Sequence, residues 1–441
     1  MLNKTVTAFS VFFILASFCV QNVSAEDQQD EKKNGFRITK DTVLNVGLSL
    51  TPEYESNITK ASEKTTIDGV KVGTVSDMIL HYSPSIRIKL DDMNKTVGFS
   101  VFLDYNHYLG LQDKDASKKL SDLDIKSGLI GEFNKKGRAF FDFSNHFSRN
   151  ASPDGQDLSG RHKNILDNFV LGLGLKNIED TLLMKVQAGV DFNYYEESKD
   201  QSAYKDYNYV SFVGDIFGRW KFLPKTTVFL KAAYRYQDYY ESSIRSDSRS
   251  MPVNIFAGIM GQITPHLSAK LSAGYSVSIS KDIRHDYNAN AELVFKYGKN
   301  TLLTSGYLRN MRPSPYYQHY STHRLYLNFK QKMARVLLAK LDFSYSFLEF
   351  GPQIIPDAAP GSPVVTIPGG VREDQLLMLN PSLSYNILSW FGLKLSYELE
   401  YRTSDYDRLV VETLPDATTR TVHTYYDFID HKVLLNIALD Y

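Results

Sequence analysis

The stretch Leu267-Ser-Ala-Lys-Leu-Ser-Ala-Gly-Tyr-Ser-Val-Ser-Ile279 decides the fold. Leu267, Ala269, Leu271, Ala273, Tyr275, Val277 and Ile279 fall on one face of an extended chain; Ser268, Lys270, Ser272, Gly274, Ser276 and Ser278 fall on the other. Two further segments repeat the pattern. Leu393, Leu395, Tyr397, Leu399 and Tyr401 oppose Lys394, Ser396, Glu398, Glu400 and Arg402, and Ala339, Leu341, Phe343, Tyr345 and Phe347 oppose Lys340, Asp342, Ser344 and Ser346. A period of two is that of a strand with one apolar and one wet face. Strands of soluble sandwiches usually run about 5–6 residues, whereas a tilted strand that crosses a bilayer needs about 9–11. The length of these runs therefore predicts an all-β fold, a transmembrane antiparallel β-barrel.

Working outward with that template gives eighteen candidate strands: 43–54, 75–90, 96–109, 121–133, 138–148, 164–175, 181–195, 207–222, 226–239, 251–263, 267–279, 286–297, 301–311, 321–331, 335–349, 373–387, 393–407 and 425–441. Connections after even strands are brief, as at Asp91 to Asn94, Leu223-Pro224-Lys225 and Gly298-Lys299-Asn300. Those after odd strands are mostly long, as at 55–74, 110–120, 149–163, 350–372 and 408–424. Such alternation is expected of short periplasmic turns and long extracellular loops. Backbone amides in hydrocarbon must all be paired, so a sheet can sit there only without edges. The expected count is about 18 strands, with 16 as the lower bound.

Composition agrees. Tyr 29 and Phe 26 against Trp 2, with 43% hydrophobic and 23% charged residues, describe a strand-rich chain rather than apolar membrane helices or a disordered polymer. Lys+Arg 50 balances Asp+Glu 50, which leaves no net field to recruit nucleic acid. At the N-terminus, Lys4, the apolar run Val11 to Val20 and Val23-Ser24-Ala25 read as a signal peptide over 1–25, removed after Sec-dependent export. Cys19, the one cysteine, lies within it and follows Phe18, so no lipid anchor is expected. Residues 26–42 read as a short periplasmic segment and 43–441 as the barrel; the lead-in is too short for an energised plug. The outer-membrane lipid and the barrel-assembly machinery are the expected partners. The latter would read the apolar row Val433, Leu435, Ile437, Leu439 and Tyr441 of the last strand.

Tyr194-Tyr195, Tyr239-Tyr240, Tyr316-Tyr317 and Tyr425-Tyr426 lie at loop ends, and Trp220, Phe222, Trp390 and Phe391 flank short turns, as two interfacial girdles would. Phasing each strand by its apolar face assigns Asp104, Asn106, Asp142, His146, Asp215, Arg219, Lys231, Arg235, Lys270, Lys340, Asp342, Lys394, Glu398, Glu400 and Arg402 to the interior. The charged members from Asp142 onward are candidate pore-lining residues, or wall residues paired across neighbouring strands. Loops 55–74, 149–163 and 350–372 are long enough to fold inward, the last stiffened by Pro356, Pro360, Pro363, Pro368 and Gly369-Gly370. Catalytic readings fail. His146 and Ser148 phase to the lumen, away from lipid, and His319 with His323 has no third ligand at zinc spacing. Asp154 to Asp157 reads as a turn rather than a calcium loop. No enzyme activity, metal or cofactor is expected.

The opening Val46-Gly-Leu-Ser-Leu-Thr-Pro-Glu-Tyr-Glu-Ser-Asn-Ile-Thr59, followed by Met78-Ile-Leu-His-Tyr-Ser-Pro-Ser-Ile-Arg-Ile88, resembles the beta-barrel porin 2 type of outer-membrane protein. Those proteins similarly begin with a strand ending Tyr-x-x-Asn-Ile, a polar loop and a Ser-Pro strand. The resemblance implies an export barrel associated with exopolysaccharide, with periplasmic polysaccharide-export components as partners. Tyr54 and Asn57 are expected to serve structure. Two other functions fit the same barrel: general diffusion of small hydrophilic solutes, and a non-conducting barrel that docks envelope components.

Overall fold

The computed structural model describes residues 35–440 apart from 68, 72, 115–119, 151–162, 178, 197–207, 241–250, 280–282, 315–317, 335, 352–363, 367–371, 406 and 414–418. The signal segment, Pro356, Pro360, Pro363, Pro368, Gly369-Gly370, Asp154 to Asp157, Tyr316-Tyr317 and Tyr441 lie outside the described residues. The strands are β1 (Phe36–Thr39), β2 (Thr42–Glu55), β3 (Thr66–Ile67), β4 (Val70–Lys71), β5 (Asp77–Asp91), β6 (Lys95–Tyr108), β7 (Asp122–Phe133), β8 (Ala139–Asn150), β9 (Asn164–Lys176), β10 (Leu182–Tyr195), β11 (Tyr209–Leu223), β12 (Thr226–Asp238), β13 (Met251–Thr264), β14 (Leu267–Ile279), β15 (Ile283–Tyr297), β16 (Thr301–Ser314), β17 (Gln318–Met333), β18 (Leu337–Phe350), β19 (Val364–Thr366), β20 (Glu373–Leu388), β21 (Phe391–Ser404), β22 (Asp407–Thr413), β23 (Thr419–Tyr425) and β24 (Phe428–Asp440).

Nineteen of these share one sheet. Within it each long strand pairs antiparallel with the next, from β2 through β5 to β18 and on through β20, β21 and β24. The last strand then returns to the first, with Gly47 opposite Asp440 and Glu55 opposite Lys432. Setting aside β1, eighteen strands close on themselves, so the barrel is the one the alternation predicts. The four residues of β1 pair with β2 at Leu44, Val43 and Thr42, beyond the point where β24 ends against Gly47. They cover an edge that would otherwise present unpaired backbone groups. Three interior prolines mark breaks in the ladders. Pairing skips Thr51-Pro52 between β2 and β24, Ser83-Pro84 between β5 and β6, and Asn380-Pro381 between β20 and β21. A residue without an N–H cannot donate to the ladder.

Register fixes which way every side chain points, since directly opposed residues share a face. The outer face carries the exposed apolar residues: Leu48 and Leu50 on β2, Leu173 and Leu175 on β9, Val186 on β10, Ile216 on β11, Leu230 on β12, Ile259 on β13 and Leu271 on β14. This is the surface of a sheet in contact with hydrocarbon rather than water. Among the described residues no helix is long and apolar enough to cross a membrane.

Trp220, Phe222 and Trp390 are exposed at the turn end, as a girdle requires. At the loop end the tyrosine pairs behave differently from the expectation. Tyr194 and Tyr240 are exposed while their neighbours Tyr195 and Tyr239, together with Tyr426, are buried. Consecutive strand residues point to opposite faces, so within β10 one of Tyr194 and Tyr195 must turn inward.

A second sheet forms from three loops at the far end. The hairpin β22–β23 pairs with β19 on one side and with β3 on the other, and β4 completes it. The chain over 408–424, which reads as loop, is therefore mostly strand. Its partners come from segments roughly 40 to 350 residues away, a pairing that no local pattern announces.

Candidate functional site: the barrel interior

All twelve charged candidates lie on the face opposite the exposed apolar residues. Register pairs Asp142 with Gly172, Asp215 with Gln187, Arg219 with Leu183, Lys231 with Phe217, Arg235 with Val213, and Lys270 with Glu292. It likewise pairs Lys340 with Ser382, Asp342 with Asn380, Lys394 with Asn436, Glu398 with Lys432, Glu400 with Asp430 and Arg402 with Phe428. His146 lies opposite Gly128 and Ser148 opposite Lys126, on the same inner face.

Most of these charges are engaged within the wall. Asp142 holds Lys185 at 2.9 Å, Lys231 lies 3.7 Å from Asp215, Arg235 holds Asp191 at 2.7 Å and Arg219 reaches Asp180 at 3.1 Å. Lys270 stands over the Phe229 ring at 5.9 Å, and Glu398 accepts a hydrogen bond from Asn380 at 3.1 Å. Lys340 and Lys394 are instead exposed to the lumen at the turn end.

A gradient of burial runs along the inner face. On β18 the inward residues Lys340 and Asp342 are exposed, whereas Ser344, Ser346, Leu348 and Phe350 are buried. On β20 Met378 is exposed but Leu376 and Asp374 are buried, and on β10 Asp191, Asn193 and Tyr195 are buried above half-open Lys185 and Gln187. The lumen thus opens to solvent at the turn end and is closed over toward the loops.

The first loop supplies part of that closure. Asn57, a polar residue just after β2, accepts from Thr59 Oγ1 at 3.1 Å and from the Ala61 amide at 3.2 Å, and donates to the Ala61 carbonyl at 2.8 Å. Its own amide donates to Asp430 Oδ1 at 3.0 Å. The resulting tight turn puts Lys60 in the left-handed region, at φ 52, and drops its side chain between Glu400 at 2.7 Å and Asp430 at 2.6 Å. Ile58 is fully buried against Ile79 and Tyr108. The expectation that this loop folds inward therefore holds for its described part. Farther on, Ser62 Oγ donates to Asp427 at 2.9 Å, and Lys64 pairs with the same carboxylate at 2.9 Å.

Two neighbouring clusters complete the closed end. Arg372 is sandwiched between the rings of Phe350 at 4.2 Å and Tyr426 at 4.0 Å. Its guanidinium shares the fully buried Asp374 with Arg402. Glu53 receives His81 at 3.0 Å and Lys432 at 3.4 Å, while Lys432 also reaches Glu55 at 3.2 Å. Sequence phasing places Glu400 and Arg402 inside but misses Lys60 and Arg372, because both reach the wall from loops whose course is set by long-range contacts.

Among the described residues no group of His, Cys, Asp and Glu side chains is arranged to hold a metal ion. The chain is similar in fold to several solved transporters. The ferric enterobactin receptor of Pseudomonas aeruginosa, in a mutant form, shows 8% identity over 90% of this chain and 80% of that chain, at a TM-score of 0.43. The siderophore receptor PirA of Acinetobacter baumannii shows 7% identity over 92% and 81%, at 0.44, and the FrpB iron transporter of Neisseria meningitidis 7% over 90% and 81%, at 0.42. The eighteen-strand closure stands on its own ladder pairs, whatever the likeness. No family model matches the chain, and neither does any curated relative.

Proposed function

We propose that this chain resides in the outer membrane of a Gram-negative bacterium and forms a passive conduit for hydrophilic molecules, its loop end closed over in the state described. The observation that carries the reading is the separation of faces: a predominantly apolar exterior and an interior of charged, amide and hydroxyl side chains. A barrel of this strand number is wide enough to hold water. Lys340, Asp342 and Lys394 line its solvent-exposed end, and the other nine candidates face the same interior, engaged with neighbouring side chains of the wall, turns or loops. Export of an exopolysaccharide is the cargo we favour, on the sequence resemblance of Val46 to Ile88. General diffusion of small solutes differs only in cargo size.

Planar bilayers containing the purified protein test this. Discrete conductance steps are expected, growing in size or frequency when Lys60→Met releases the first loop. Silence from both proteins would overturn the conduit and favour a barrel that docks envelope components, a role the closed loop end also suits. Efflux of labelled dextrans of graded size from vesicles would then separate polysaccharide passage from small-solute diffusion.

A further inference from the structure

We propose that the seam between β15 and β16 at the loop end binds an amphiphile, taking an anionic, hydroxyl-bearing headgroup into the wall while its acyl chains lie along the outer face. The β15–β16 ladder runs from Tyr297↔Thr301 to Ala289↔Arg309 and stops there. Yet β15 continues to Ile283 and β16 to Ser314. Beyond the branch point β15 pairs only with β14, and β16 only with β17. The first unmade pair would join Asn288 to Asn310, three residues before Pro313 of β16.

The second observation is an accumulation of unmet hydrogen-bonding capacity. Among the described residues fifteen buried side-chain polar atoms have no hydrogen-bond partner, and seven of them lie on β15, β16 and β17. Native proteins leave few such atoms, so a cluster of them calls for an explanation. Asn288 and Thr322 are each more than nine-tenths buried, with Asn288 Oδ1 and Thr322 Oγ1 unpartnered from the lumen side, while on the outer side Arg309 Nε has no hydrogen-bond partner and His323 Nε2 lies 3.7 Å from Glu349. Register places Asn288 and Thr322 on the inner face and Arg309 and His323 on the outer face, so the unmet groups span the wall.

Their chemistry defines the ligand. Amide oxygens seek hydroxyl donors, and a guanidinium N–H seeks an anion. Arg309 is held ready: its guanidinium lies 3.8 Å from the Tyr287 ring centroid and its terminal nitrogen holds Asp286 at 2.7 Å, while Nε remains open. Arg284, Arg309, Arg312 and Arg324 stand against Asp286, Glu292 and Glu349 on the strands around the seam. Outside it, Tyr287 and Leu325 are half-exposed and offer an apolar platform for acyl chains. A headgroup carrying both phosphate and hydroxyls offers an acceptor to Arg309 Nε and donors to the amide oxygens, whereas a neutral free sugar lacks the anion.

This site is independent of conduction and needs only the outer face to meet lipid. To test it, a fluorophore is attached to Leu325→Cys in a Cys19→Ser background and the protein is reconstituted in phosphatidylcholine vesicles. Phosphatidylglycerol with brominated acyl chains is then titrated in, against brominated phosphatidylcholine. Quenching by the anionic lipid is expected at a mole fraction about fivefold lower, the factor that ~1 kcal/mol per basic residue near a lipid surface gives. Arg309→Gln should remove that preference. Asn288→Ala, which keeps every charge, should weaken it and guards against a folding defect in the first variant. Equal quenching by the two lipids, or a preference that survives both substitutions, would overturn the proposal. Loss of the preference on adding inorganic phosphate would also overturn it, by revealing a free-anion site. Failure to insert into vesicles at all would sink the membrane reading instead.

Discussion

Single residues at the closed end carry most of the testable chemistry. Lys60 is the clearest, because it stands between Glu400 and the fully buried carboxylate of Asp430. Removing one partner of a buried pair leaves an uncompensated charge, at a cost of roughly 3–5 kcal/mol. Lys60→Met should therefore lower thermal stability and accelerate amide exchange at Asn57 and Ile58, whose N–H groups donate to Asp430 and to the Val75 carbonyl. Unchanged exchange at both amides would show that the cation does not hold the loop. At the opposite rim, Asp92 accepts from the amides of Asn94 at 2.7 Å and Lys95 at 2.8 Å. These bonds hold its carboxyl below the ordinary carboxylate range. A depressed folded-state value means the turn is supported above the unfolded value and loses that support as pH falls through the folded one. A carboxyl titration by NMR should give a midpoint below the ordinary value, and Asp92→Ala should erase the acid-side change in Asn94 exchange.

At the level of the strand, period two does nearly all the work, and it sets both what was readable and what was not. Phasing by the apolar face assigns Lys231 inward and Leu230 outward without any knowledge of the partner strands, and the ladders agree. It could not find the ion-pair partners, since whether Asp142 meets Lys185 depends on the stagger across two ladders. Nor could it see β22 and β23, whose hairpin packs against β3 and β19 from other loops. Doubled tyrosines misled for the opposite reason, because adjacency in sequence is opposition in a strand. The two faces should respond unequally to charge. Ile216→Arg places a cation on the exposed apolar wall and should cost about 2–4 kcal/mol if it lies at the bilayer midplane. Its neighbour Asp215→Asn, on the inner face, should cost far less. Unfolding in urea from vesicles compares them, and equal effects would contradict the assignment of faces.

The whole molecule is defined by its closure. Eighteen ladders leave no edge in the hydrocarbon; the one that closes the ring joins β2 to β24, and the Asn57 amide bonded to Asp430, 373 residues away, ties the first loop to that same closure. Ionic selectivity is the property that belongs to this scale. Lys340 and Lys394 project into the open end, so Lys340→Glu with Lys394→Glu should shift the reversal potential under a salt gradient toward cations. An unaltered potential in conducting channels would mean that the narrow region lies elsewhere.

The most direct measurement of the central claim is a cross-link between first and last barrel strands. Leu48 and Leu439 oppose one another on the outer face. Cysteines at these two positions, in a Cys19→Ser background, should form an intramolecular disulfide in the folded protein under mild oxidation, seen as a faster-migrating species lost on reduction. An absent bond, or one formed only between molecules, would show that the sheet does not close.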